Sequence, residues 1–147
     1  MPEQKTKELL EELLNSQVTG VIATEKDHQP YTNLVAFSFS ENLKKIYFAT
    51  PMSTTKYKNL VGNPHVSLLI DTRKNNREDF SDSTAITVLG ICRGLSGIIK
   101  DEILGIHSVR LPGLREFLKN EMMAIMEIEV NKYIITNGLD ATAVFVP

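Results

Sequence analysis

The chain has 147 residues, 42% hydrophobic and 23% charged, ordinary values for one domain with its own packed core. Sixteen Lys and Arg against eighteen Asp and Glu leave a formal charge of −2, which argues against a dedicated nucleic-acid binder. The single cysteine, Cys92, excludes an intrachain disulfide and a thiolate zinc site, and no stretch approaches the roughly 18 apolar residues of a membrane helix.

Taken in chain order, residues 3–16 form an amphipathic helix, with Leu9, Leu10, Leu13 and Leu14 on one stripe that packs against a sheet. The polar start Met1–Lys5 has no apolar run behind it and is not a signal peptide, so the expected setting is cytoplasmic. From Val18 to Thr24 the period drops to two and the residues become β-branched, a strand. Tyr31 to Phe39 is a second strand, with Tyr31, Asn33, Val35, Phe37 and Phe39 on one face. Lys45 to Thr50 is a third, and the short polar turns between them predict an antiparallel meander. Ser53 to Val61 reads as a short helix, with hydroxyls at its start and Gly62 past its end.

Val66 to Asp71 is a fourth strand. Residues 72–83 are polar and without pattern, an exposed and mobile loop. Thr84 to Leu95 is a long strand in which Gly90 and Gly94 predict bulges or bends. Residues 99–118 are helical by period and broken at Pro112-Gly113. In the last strand, Met123 to Ile135, Ala124, Met126, Ile128 and Val130 face in while Glu127, Glu129 and Asn131 face out. About six strands joined mainly by hairpins predict a mainly β fold, a small antiparallel barrel with peripheral helices in a single domain over 1–147.

The segment richest in chemistry is Ala49-Thr50-Pro51-Met52-Ser53-Thr54-Thr55-Lys56. Three consecutive hydroxyls, Ser53 to Thr55, and a lysine gather where a strand feeds a helix, and free N–H groups at a helix start attract an anion. Lys56 adds a full charge that suits a phosphate. The plainer reading is that Ser53 or Thr54 is an N-cap and Lys56 and Lys58 are solvated.

Thr54-Thr55-Lys56, with Leu60 and Asn63-Pro64 at their spacing, resembles the phosphate-binding stretch of the FMN-binding split-barrel family typified by pyridoxamine 5′-phosphate oxidase. Thr55 stands where the family usually has arginine. Pro30 to Phe37 resembles the family strand that runs along the flavin ring, which implies Asn33, Leu34, Val35 and Ala36 as lining. Ala49 and Thr50 match positions that touch the flavin, and Thr84 and Ala85 match a weaker third contact. The resemblance spans roughly 18–135 and implies a six-stranded antiparallel split barrel, FMN as cofactor, and a homodimer with FMN at its interface. It implies an anchor of Ser53, Thr54, Thr55 and Lys56.

The oxidase's own substrate residues are not evident: Ser38 occupies the place of one of its lysines, and its arginine-rich C-terminal segment is not matched. The resemblance therefore implies a minimal member of the family, an FMN-dependent oxidoreductase acting on a small-molecule redox substrate. The other readings are a non-catalytic flavin carrier, store or sensor, and a split-barrel protein that binds deazaflavin or haem. No side chain presents itself as a catalytic base, because the chemistry resides in the cofactor. His28, His65 and His107 are scattered without metal-binding spacing, so no metal site is expected. Cys92 reads as a buried, inert thiol, and Arg73, Lys74 and Arg77 as a solvated basic loop.

Overall fold

A computed structural model describes residues 2–138 and 141–147. The first helix, α1 (Glu3–Ser16), buries Thr6, Leu10, Leu13 and Leu14, with Leu9 half-buried against the same core. Each buried leucine contributes about 1.5–3 kcal/mol of transfer free energy.

Strands β1 (Thr19–Lys26), β2 (Gln29–Phe39) and β3 (Lys45–Pro51) form the meander. The β1–β2 turn holds Asp27 and His28, both with positive φ (51° and 66°), the primed turn whose twist matches that of a hairpin. Next come α2 (Thr55–Gly62), β4 (His65–Asp71), α3 (Asp79–Asp82) and β5 (Thr84–Gly94). They are followed by α4 (Gly97–Arg110), α5 (Arg115–Leu118), β6 (Met123–Asn137) and β7 (Ala141–Phe145).

The strands hydrogen-bond in the order β3-β2-β1-β4-β5-β6-β7, and β3 also pairs with β6, which closes six antiparallel strands into a barrel. β6 is long enough to serve two partners on one edge. Its first half pairs with β3, from Met123↔Pro51 to Glu129↔Lys45, and its second half pairs with β7. The interior is filled by alternate residues of these strands, among them Ile22, Phe37, Phe48, Leu68, Ile86 and Ile128. A second, smaller cluster lies outside the wall, where α4 and α5 cover Tyr47 and Ile125 with Ile103 and Leu118.

One pairing is incomplete. β2 and β3 meet only at Phe37↔Phe48, Ser38↔Tyr47 and Phe39↔Ile46. Before Phe37, β2 pairs with β1 from Lys26↔Gln29 to Thr19↔Ala36. Beyond Phe48, Ala49, Thr50 and Pro51 pair with β6. The two strands therefore diverge, and α2, which contacts β1, β3 and β5, crosses the end of the barrel they leave open.

Several expectations are corrected. Residues 72–83 are not patternless: they contain α3, and the Asp79 carboxylate accepts from the N–H groups of Lys74 (2.9 Å), Asn75 (2.8 Å) and Asn76 (3.3 Å). The reason is a local carboxylate–backbone clasp that leaves no periodic trace. β7 extends the sheet beyond the six expected strands. Glu127 does face away from the barrel interior but is only 2% exposed, because Lys45 (3.0 Å) and Arg93 (3.3 Å) close over it.

Gly90 sits at the register shift between Leu89 and Gly90. A Cβ there would clash with the Glu129 carbonyl oxygen, so the close strand approach requires glycine. Gly94 pairs with Met126 at the strand end, where no register shift falls. Among the described residues no helix is long and apolar enough to cross a membrane.

Candidate functional site

At the end of β3 the Met52 N–H donates to the Met122 carbonyl (2.9 Å) and the Thr54 N–H turns back to the Pro51 carbonyl (3.1 Å). Thr54 is the N-cap of α2, its hydroxyl accepting from the Tyr57 N–H (3.2 Å) and donating to the Pro51 carbonyl (2.9 Å). The buried Thr50 hydroxyl lies 2.9 Å from the Thr54 hydroxyl. Two of the four hydroxyls on this turn are thus committed to local structure. Those of Ser53 and Thr55 are exposed, and among the described residues neither side chain appears in a hydrogen bond. The two N–H groups that open α2 point out of the helix with no carbonyl four residues behind them, the ordinary state of a helix start.

Lys56 differs from its neighbour Lys58. Lys58 is exposed, whereas Lys56 is only 5% exposed, because it shares the inward face of α2 with Asn59 and Leu60. Asn59 fixes that face by donating to the Thr24 hydroxyl of β1 (3.1 Å). Among the described residues no carboxylate lies within 4.0 Å of the Lys56 ammonium and no side chain hydrogen-bonds it. Burial accordingly holds its pKa below the ordinary lysine value. A partly desolvated charge without a partner is unfavourable, and an anion entering beside it offsets that cost.

The opposite lip of the opening is β2. Asn33 pairs with Ile22 and is half-buried, its Oδ1 buried without a hydrogen-bond partner among the described residues. Leu34 points the other way and is 67% exposed, beside Val21 of β1. The Val35 side chain belongs to the barrel core, so only its backbone is available to a ligand. Ala36 is half-buried on the outer face with Leu34. Ala49 packs against the cluster beneath α4.

The structure thus sets Asn33, Leu34 and Ala36 on one lip and Thr50 and Ser53 through Lys56 on the other. It does not bring Thr84 and Ala85 to them. Those two lie on β5, separated from β2 by β1 and β4 in the sheet. Thr84 is bound to its surroundings, its hydroxyl donating to Asn137 Oδ1 (2.8 Å) and its N–H donating to the Thr72 hydroxyl (2.9 Å).

Sequence reasoning missed a buried polar cluster. His107 Nδ1 lies 2.8 Å from the Ser38 hydroxyl, and its Nε2 is buried without a partner among the described residues. Burial, and next the Arg110 charge, push its pKa down to about 4. Arg110 donates to the carbonyls of Phe37 (3.0 Å), Leu14 (2.6 Å) and Gln17 (2.7 Å). No sequence signal marks a side chain that reaches three carbonyls on two distant elements, β2 and the end of α1. Burial pushes the Cys92 thiol up to about 12, as an inert thiol requires. Among the described residues no three His, Cys, Asp or Glu gather as a metal site. In the basic loop, Arg73 pairs with Asp71 (3.1 Å).

No curated protein matches the sequence. Solved structures match the fold. A heme-binding protein from Mycobacterium smegmatis aligns with TM-score 0.80 and 13% identity over 91% of this chain, which spans 55% of that chain's length. HutZ, the heme storage protein of Vibrio cholerae, aligns with TM-score 0.75 and 12% identity over 95% of this chain and 93% of its own. An FAD-binding protein from Mesorhizobium loti aligns with TM-score 0.66 and 19% identity over 85% and 89%. At these identities the likeness is one of fold. The sequence model of pyridoxamine 5′-phosphate oxidase matches residues 6–123, most of the chain and both lips of the opening, so the protein belongs to the pyridoxamine 5′-phosphate oxidase family.

Proposed function

We propose that the opening between β2 and β3 binds flavin mononucleotide and that the protein is an FMN-dependent oxidoreductase of a small-molecule substrate. The observation that carries this reading is Lys56, a lysine with its stem buried and no carboxylate within 4.0 Å of its ammonium among the described residues, one residue after Thr55 and three after Ser53, whose hydroxyls are unengaged at a helix start. Membership of the oxidase family and a fold shared with a flavin dinucleotide-binding protein support it.

The flavin phosphate is held by Lys56, the hydroxyls of Ser53 and Thr55 and the N–H groups that open α2. Thr55 supplies a hydroxyl where an arginine fork would add a second charge, so Lys56 carries most of the electrostatic attraction. Along β2, the edge that leaves β3 exposes backbone groups to the polar rim of the ring. Asn33 Oδ1 needs a donor, and Leu34 and Ala36 supply apolar cover. When bound, the flavin supplies the hydride or electron transfer, and no side chain of the opening is assigned as acid or base.

A homodimer fits this reading, because Thr84 and Ala85 can reach the flavin only from a second copy. The haem reading draws on the two heme-handling relatives of the fold. The imidazoles that would hold a haem are His28 and His65, the exposed ones, which sit at the β1–β2 turn and the start of β4 rather than beside Lys56.

The deciding experiment is the absorbance spectrum of the purified protein with its released chromophore identified, followed by FMN titration of Lys56→Ala. A flavin spectrum and affinity lowered roughly 10- to 100-fold are expected, since a charge-assisted contact is worth about 1.5–3 kcal/mol. A porphyrin spectrum, or FMN affinity unchanged in the variant, defeats the proposal. Anaerobic reduction of the bound flavin by NADH or NADPH separates an oxidoreductase from a carrier or store.

A further inference from the structure

Between α4 and α5 lies a groove of about 530 Å³, within the size range of small-molecule sites. Leu104, Leu118 and Met123 make its floor, and Lys100, Arg115 and Lys119 stand around it against Asp101 and Glu121. Lys119 also pairs with Glu116 at 2.9 Å, which leaves Lys100 and Arg115 as the cations outside any ion pair among the described residues. Its place in the fold matters as much as its lining. Met123 faces Pro51 in the β3–β6 ladder, and the Met122 carbonyl accepts from Met52. One wall of the groove is therefore tied to the residue that precedes Ser53, at the phosphate-anchoring turn.

In a flavin dinucleotide, the flavin phosphate is joined directly to an adenylate: a second phosphate, a ribose and a flat base. Cations over an apolar floor, next to the first phosphate's anchor, match that order of groups. We infer that the α4–α5 groove binds a nucleoside 5′-phosphate, as the adenylate half of a dinucleotide. The inference rests on the flavin reading of the neighbouring turn. The same adenylate occurs in FAD, as an extended cofactor, and in a nicotinamide dinucleotide, as the electron donor.

The groove offers a clean way to test itself. Gly105 lines it, and a Cβ added there meets nothing within 4 Å, so Gly105→Leu adds bulk at the groove without a clash. Calorimetric titrations of 5′-AMP, FMN and FAD compare the full chain with Gly105→Leu and, as a second variant, Arg115→Ala. The expected result is that 5′-AMP binds, and that each variant weakens it about tenfold while FMN affinity stays unchanged.

If FAD binds more tightly than FMN and loses that advantage in both variants, the adenylate belongs to the cofactor. If FAD has no advantage but NADH or NADPH displaces 5′-AMP, it belongs to the donor. Absence of 5′-AMP binding, or binding untouched by both variants, overturns the inference. Binding of 5′-AMP with no FMN binding instead removes the flavin reading and leaves the groove.

Discussion

Lys56 makes opposite demands on stability and on binding. Its stem is buried on the inner face of α2 and its ammonium is partly desolvated with no acid within 4.0 Å among the described residues, so the ligand-free protein carries an unfavourable charge. A hydrophobic residue of similar length relieves it. Lys56→Met is expected to raise the melting temperature of the ligand-free protein by about 2–4 °C, as roughly 1 kcal/mol does at this chain length, while FMN affinity falls. Differential scanning calorimetry beside flavin titration checks both signs. A variant less stable than the parent contradicts the unpaired charge.

His107 gives a pH dependence whose sign follows from its burial. Its pKa falls from the usual 6.5 to about 4 in the fold, so the unfolded chain takes up the proton first. Stability is therefore unaffected above about pH 6.5, falls as pH drops from there to about 4, and loses nothing further from this group below. Within the window the loss is about 1.4 kcal/mol per pH unit. His107→Gln, which keeps a partner for Ser38, should show a shallower decline over that window in urea midpoints. Parallel curves for the two proteins would place the titration elsewhere.

Among the elements, α4 is the one whose docking the sequence concealed. Its period and the break at Pro112-Gly113 are visible in the residues, but not what fastens it. Arg110 fastens it, joining α4 to the end of α1 and to β2 through three carbonyls, with its guanidinium 5.2 Å and 4.9 Å from the ring centroids of Phe37 and Phe39. A lysine supplies one compact charge and cannot reproduce the planar fork. Arg110→Lys is expected to cost about 2–4 kcal/mol, read as a lowered urea midpoint, whereas an unchanged midpoint would leave α4 held by its apolar contacts alone. β6 shows the limit of alternation in the other direction. Its outward positions Met123, Ile125 and Glu127 are as buried as its inward ones, because helices and long side chains cover both faces.

For the whole molecule, one chain presents two lips of a cleft but leaves Thr84 and Ala85 out of reach. The outer barrel face carries Leu34 in the open, with Val21 and Leu69 half-covered beside it, a patch suited to a second copy. The parent protein is expected to sediment as a dimer and Leu34→Glu as a monomer with weaker FMN binding. A Leu34→Glu protein that remains dimeric moves the interface off this face.

Residue order alone determined the first six strands, α1, α2 and the helical stretch broken at Pro112-Gly113, the hairpin meander, the bulge at Gly90 and the hydroxyl–lysine turn, but neither α3 nor β7. Each is a local property: side-chain period, turn chemistry, and donors placed within a few residues of one another. Only the tertiary structure decided that β2 and β3 part after three residue pairs, that Lys56 rather than Lys58 is buried, that Thr54 rather than Ser53 caps α2, and that Glu127 and His107 are enclosed. Those outcomes depend on which distant elements meet, for burial and pairing belong to contacts across the chain and not to any stretch of it.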